Sequence, residues 1–110
     1  MEQVINKISE YDEFITANKA AALYFSTPDC NVCKDLKPKV KNLLKENFPK
    51  IQFGYVNVNE ARELSAQNAV FTVPTILFLF EGKELLRESR NVSLRHLTFL
   101  LERPYSLIFE

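Results

Sequence analysis

At 110 residues, with 46% hydrophobic and 25% charged side chains, the chain has the size and make-up of one globular domain that buries a core without cross-links. Fourteen basic and fourteen acidic residues cancel, which excludes a global field for nucleic acid or an anionic membrane. The longest apolar runs, such as Ile76 to Phe80, are far too short to span a bilayer, and Met1 to Lys7 lacks the basic and then apolar stretches of a secretion signal, so a soluble cytoplasmic protein is expected.

In chain order, Val4 to Ile8 reads as a weak first strand, and Ser9 as the N-cap of a short helix with Tyr11, Phe14 and Ile15 facing inward at helical spacing. Ala20 to Phe25 is apolar without alternation, the pattern of a strand covered on both faces. From Asn31 the period changes. Leu36, Val40, Leu43 and Leu44 repeat at helical spacing, with Lys34, Lys37, Lys41 and Lys45 on the other side. Pro38 falls inside this helix, where it cannot donate to the carbonyl four residues back, and a kink is expected.

Ile51 to Val58 is the next strand, and Asn59 is placed to cap a short helix carrying Ala61 and Leu64. A loop then leads into Val73-Pro74-Thr75. Ile76 to Phe80, Glu81-Gly82 and Lys83 to Glu88 form a strand, a tight turn and a strand. Ser93 starts a last helix with Leu94, Leu97 and Leu101 along one stripe, and Pro104 is expected to stop it. The order βαβαβαββα predicts an α/β fold whose pairing is parallel at first and ends in an antiparallel hairpin. Nothing interrupts the chain as a linker or repeat, so residues 1–110 read as a single domain.

Cys30-Asn31-Val32-Cys33 contains the only two cysteines, directly after the apolar strand and at the entrance to a helix. Sulfurs three residues apart lie on one side of a helical turn, within disulfide reach. A first thiol at a helix N-terminus also meets unpaired N–H groups and the positive end of the helix dipole, which favour the attacking thiolate. In a reducing compartment such a pair points to transient, catalytic chemistry rather than a permanent cross-link. Structural or incidental thiols remain the alternative. A zinc site needs two further ligands, and the one histidine, His96, flanks the stripe of the last helix as a surface residue.

The segment Tyr24-Phe25-Ser26-Thr27-Pro28-Asp29-Cys30-Asn31-Val32-Cys33-Lys34, the helix proline Pro38, and Glu63 to Thr75 ending in Val73-Pro74-Thr75 together resemble the thioredoxin family over about residues 3–103. The resemblance implies a thioredoxin-like fold, a central mixed sheet with helices on both faces. It also implies a thiol–disulfide oxidoreductase in which Cys30 attacks and Cys33 resolves. Pro74 is expected to be cis, pressing its loop against the cysteines so that the Val73 backbone pairs with an extended substrate peptide. Asp29, Asn31, Val32 and Arg90 complete the expected substrate-binding set. The implied partners are protein disulfides, with a thioredoxin reductase or small thiols as electron source; no metal or organic cofactor is implied, and a monomer is expected.

Several positions depart from the family pattern. Asp29 replaces the usual tryptophan and Asn31-Val32 the usual Gly-Pro; a carboxylate beside a nascent thiolate opposes its formation. Tyr24 stands in place of the buried aspartate that in the family helps move the second cysteine's proton, and with an ordinary pKa of about 10 it is a poor base. Cys33 is then expected to resolve mixed disulfides slowly, or through water or another carboxylate. Arg90 lies where many members place glycine and narrows the expected substrate groove.

These departures keep a second reading open, a thioredoxin-fold binding module or redox-responsive adaptor with little turnover. The lysine stripe reads either as a guide for acidic partners or as a solvated face. The tail, residues 104–110, is apolar with strand propensity, and reads as a cover for the domain's own surface or as a dimer contact, the former favoured.

Overall fold

The computed structural model describes residues 2–109. Five strands and four helices follow one another as β1 (Glu2–Val4), α1 (Ile8–Ala17), β2 (Ala20–Ser26), α2 (Asn31–Asn47), β3 (Gln52–Asn57), α3 (Arg62–Gln67), β4 (Thr75–Phe80), β5 (Lys83–Ser89) and α4 (Leu94–Phe109). They build one sheet in the order β1-β3-β2-β4-β5. β1 and β2 both pair with β3 in parallel, whereas β4 runs antiparallel to both β2 and β5.

The unbroken apolar run of β2 follows from its central place. Ala20, Ala22 and Tyr24 pack with Phe53, Ile76 and Phe78 beneath α2 and α4, contributed through Val40, Leu44, Leu97 and Leu101. Ala21, Leu23 and Phe25 face the other way, onto Val56, Leu77, Tyr11, Phe14 and Leu64 from α1 and α3. Alternate residues of one strand therefore serve two cores. Gly54 marks the tightest approach: a Cβ there would stand 2.8 Å from Leu23 Cδ2 and 2.9 Å from Ile5 Cδ1. At the β4–β5 turn, Glu81 and Gly82 both take positive φ (54° and 80°), as the mirror-image hairpin turn requires.

Four local expectations give way to tertiary structure. The first strand ends at Val4, although the Ile5 N–H still reaches the Tyr55 carbonyl at 2.9 Å. Helix α1 starts earlier than a Ser9 cap would allow, because Glu10 Oε1 accepts the N–H groups of both Asn6 and Lys7, at 2.9 and 3.0 Å, and closes the turn from within. Asn59 does not cap α3, whose N-cap is Ala61; the Asn59 N–H is instead taken by Asn57 Oδ1.

Pro104 does not stop α4, which continues to Phe109. The proline withholds one helical donor, but the last turns are held from outside the helix. Tyr105 meets Phe48 edge-on at 5.1 Å and Phe109 at 4.7 Å, and its hydroxyl accepts the Lys50 N–H at 3.1 Å. The ammonium groups of Lys50 and Lys19 lie over the Phe109 ring. The expected cap Ser93 does act at the other end of α4, accepting the His96 N–H at 3.2 Å.

Candidate active site

β2 delivers the chain to a tight turn in which the Cys30 N–H meets the Thr27 carbonyl at 3.2 Å, and Cys30 becomes the N-cap of α2. Its Sγ accepts the Cys33 N–H at 3.1 Å, and its carbonyl accepts the Lys34 N–H. A sulfur in this place receives one of the helix's orphan donors and lies at the positive end of the dipole. Cys30 and Cys33 are joined as a disulfide with Cα atoms 5.2 Å apart. The two are unequal: Cys30 is half-buried, and Cys33 has no exposed surface. Asp29, Asn31 and Val32 are exposed around them.

Beneath Cys33 lies Tyr24, fully buried, whose hydroxyl donates to the Cys33 carbonyl at 2.6 Å. Burial pushes the phenol far above its ordinary pKa, with Tyr55 adding to the shift. Tyr24 is thus no proton acceptor; it ties β2 to the first turn of α2. Its ring lies 5.9 Å from Phe53 and 6.5 Å from Tyr55. Lys37 caps Tyr55 from outside, its ammonium 4.2 Å from the ring centre.

Glu2 then accepts from both Lys37 and Lys41, at 3.0 and 2.9 Å. Burial works to raise the Glu2 carboxyl, and the hydrogen bonds from Lys41 and Lys37 outweigh it, holding the group below the usual carboxylate range. Half of the lysine stripe is therefore spent on clamping α2 to the edge of the sheet, while Lys34 and Lys45 stay exposed.

The Val73–Pro74 peptide is cis. Thr75, the next residue, pairs with Phe25 near the end of β2, and half-buried Val73 packs against the same cluster as Cys30. Three bonds hold this loop. Thr75 Oγ1 donates to the Thr72 carbonyl at 2.7 Å and lies 3.0 Å from Ser89 Oγ, and the Arg90 N–H donates to the Pro74 carbonyl at 2.9 Å. Among the described residues, neither the N–H nor the C=O of Val73 has a hydrogen-bond partner.

Arg90 takes a positive φ of 62°, the conformation that glycine adopts without steric cost. Its backbone therefore joins the site while its side chain stays exposed. Three surface cavities of about 400, 430 and 490 Å³ are lined by neither cysteine nor by residues 71–75. Among the described residues no group of three or more His, Cys, Asp or Glu is placed to hold a metal ion, and no helix is long and apolar enough to cross a membrane.

The family model described as thioredoxin matches residues 2–101. The chain belongs to the thioredoxin family. It is 34% identical over 103 residues to the thioredoxin-like protein YdfQ of Bacillus subtilis, a match that covers 94% of this chain and 91% of that one. Among solved structures, the thioredoxin of Fasciola hepatica superposes with a TM-score of 0.81 at 27% identity, covering 91% of this chain and 97% of that one. A mutant thioredoxin from Halobacterium salinarum gives 0.82 at 21% identity, over 92% and 88% of the two chains, a likeness of fold. Thioredoxin-family proteins exchange thiols and disulfides with protein substrates, and with its Cys30–Cys33 pair this chain is a thiol–disulfide oxidoreductase.

One feature of the site is missed by reasoning from sequence. Tyr24 was legible as a poor base but not as a donor to Cys33, although the two-residue alternation of β2 puts it on the face that carries α2.

Proposed function

We propose that the protein reduces protein disulfides, with Cys30 as nucleophile and Cys33 as resolving thiol. The Cys30 thiolate attacks one substrate sulfur, forming a mixed disulfide and releasing the other sulfur as a thiolate that takes a proton from solvent. Cys33 then gives its proton to solvent base and attacks Cys30 Sγ. The Cys30–Cys33 disulfide forms, the second substrate sulfur leaves as a thiolate that takes a proton from solvent, and the substrate has gained two electrons and two protons. A thioredoxin reductase, or two equivalents of a small thiol, returns the pair to the reduced form and is itself oxidised.

The observation that carries this reading is the inequality of the two sulfurs: one is accessible at a helix start and receives the Cys33 N–H, the other is sealed behind it. Val73 offers its backbone N–H and C=O to an extended substrate, with Pro74 fixing the loop beside it and Asp29, Asn31, Val32 and Arg90 completing the substrate-binding set. A monomer acting in the cytoplasm, within the cell's thiol redox balance, fits this chemistry.

Reduction of a disulfide reporter with dithiothreitol as donor tests the reading. Turnover is expected from the parent and none from Cys30→Ser, while Cys33→Ser accumulates the mixed disulfide. A parent without turnover, or a Cys30→Ser variant that keeps it, overturns the assignment. The specific observation favouring an adaptor is Tyr24, whose hydroxyl is committed to the Cys33 carbonyl and serves no proton transfer. Partner capture by a chain with both cysteines replaced by serine selects that alternative.

A further inference from the structure

Cys33 must lose its proton in surroundings that oppose the loss. It has no exposed surface, and burial among apolar groups disfavours a thiolate. Tyr24, directly beneath it, donates its hydroxyl to the Cys33 carbonyl and offers no base. What favours ionisation here has to come from nearby charge.

Lys37 is the cation placed to supply it. It follows Cys33 by four positions within α2, so the two side chains share a face, with Cβ atoms about 5–6 Å apart. Its ammonium stands 4.2 Å from the centre of the Tyr55 ring, which lies 6.5 Å from that of Tyr24, and the Tyr24 hydroxyl meets the Cys33 carbonyl at 2.6 Å. The Lys37 side chain is 29% exposed, so water screens it only in part. One carboxylate, Glu2, serves both Lys37 and Lys41, and the group keeps a net positive charge. The other charges around Cys33 are well hydrated: Asp29, Lys34, Asp35 and Arg90 are all exposed. α4 presents Leu97 and Leu101 to this cluster and β4 presents Ile76, while the charged side chains of α4 are exposed.

We infer that Lys37 is a positioning residue for the resolving step: its ammonium, held over Tyr55 and partly neutralised by Glu2, stabilises the Cys33 thiolate. The inference rests on the reading of Cys33 as the resolving thiol. The ion pair at the sheet edge then does more than clamp α2. Lys37 and Glu2 act on Cys33 with opposite sign, the lysine favouring the thiolate and the carboxylate opposing it. A unit charge about 10 Å away, at an effective dielectric constant of about 20–40, moves a titration midpoint by about 0.5–1 pH unit.

The test mixes the reduced protein with a stoichiometric amount of dithiodipyridine, a neutral disulfide, and follows thiopyridine release across pH. Cys30 attacks first and releases one thiopyridine. In the second phase the Cys33 thiol gives its proton to solvent and its sulfur bonds to Cys30 Sγ. The bond from Cys30 to the probe breaks, and the second thiopyridine leaves with the electron pair. The pH midpoint of this phase should rise by about 0.5–1 unit in Lys37→Gln and fall in Glu2→Gln, while Lys37→Arg keeps it near the parent value. Lys45→Gln, which removes an exposed lysine farther along α2, should leave it unchanged. A residue that only held the helix in place would make Lys37→Gln and Glu2→Gln move the midpoint the same way. That result, a midpoint common to Lys37→Gln and the parent, or an equal rise in Lys45→Gln, overturns the inference and leaves the resolving role of Cys33 intact. A parent that shows the first phase but no second overturns both.

Discussion

Replacing Tyr24 with phenylalanine isolates one atom of the site. The ring keeps its place against Phe53 and Tyr55, and the hydroxyl that donates to the Cys33 carbonyl at 2.6 Å is removed. A neutral buried hydrogen bond contributes about 0.5–1.5 kcal/mol net, and stripping a partner from a buried acceptor costs about 1–3 kcal/mol. The Cys33 carbonyl belongs to a helix and keeps access to a helical donor, which favours the lower part of that range, about 1–2 kcal/mol. For a domain of this length, with an unfolding entropy of about 2.1 cal/mol/K per residue, the melting temperature should fall by about 4–9 °C.

Circular dichroism melts of the oxidised and dithiothreitol-reduced forms measure this. The loss should appear in both, because the bond is made to the backbone and not to sulfur. The kinetic side separates clamp from base. If Tyr24 only positions Cys33, resolution of a mixed disulfide changes in amplitude while its pH profile keeps its shape. Melts within 1 °C of the parent in both redox forms, or a pH profile that loses an inflection in Tyr24→Phe, would refute the clamp.

Ala69, at the C′ position of α3, has a φ of 56° and closes the Schellman motif below Phe71. Glycine pays no Cβ penalty there, so after its greater unfolded-state entropy Ala69→Gly should stabilise the protein by about 0.5–1 kcal/mol, read as a higher denaturant midpoint at unchanged slope; a lower midpoint contradicts the motif. Glu2 has a folded pKa below its unfolded value of 4.5, so its contribution to stability is present above that pH and lost as pH falls through the folded value. The stability gap between the parent and Glu2→Gln should therefore narrow as pH is lowered below about 4.5, measured by denaturation at several pH values; a gap that widens on acidification contradicts the pairing with Lys37 and Lys41.

What the sequence disclosed followed from periodicity and covalent chemistry. The run Ala20 to Phe25 could only be a central strand, because six consecutive apolar residues need two covered faces, and α1 and α3 on one side with α2 and α4 on the other supply them. Cys30 and Cys33 fell within disulfide reach because helical geometry leaves no other outcome for that spacing at a helix entrance. Signals of local propensity were the ones overruled.

Pro104 is a helix breaker in isolation, yet its missing donor is one bond set against the ring contacts of Tyr105 with Phe48 and Phe109, and those partners come from more than fifty residues away or from the helix itself. Ser9 and Asn59 were reasonable caps by residue type, but the orphan N–H groups at the start of α1 found Glu10 first, and α3 begins at Ala61 without a side-chain cap.

Tyr24 shows the same limit within the site. Composition tells that a tyrosine cannot do the work of a carboxylate, whereas its use of the proton it keeps depends on α2 crossing the sheet so that the Cys33 carbonyl comes within 2.6 Å of its hydroxyl. A carboxylate at that position could only accept, so it could not make this bond to a carbonyl while ionised. The exchange of a proton acceptor for a donor thus alters what the strand does for Cys33. It fixes the turn that carries Cys33 and gives the thiol of that residue no acceptor.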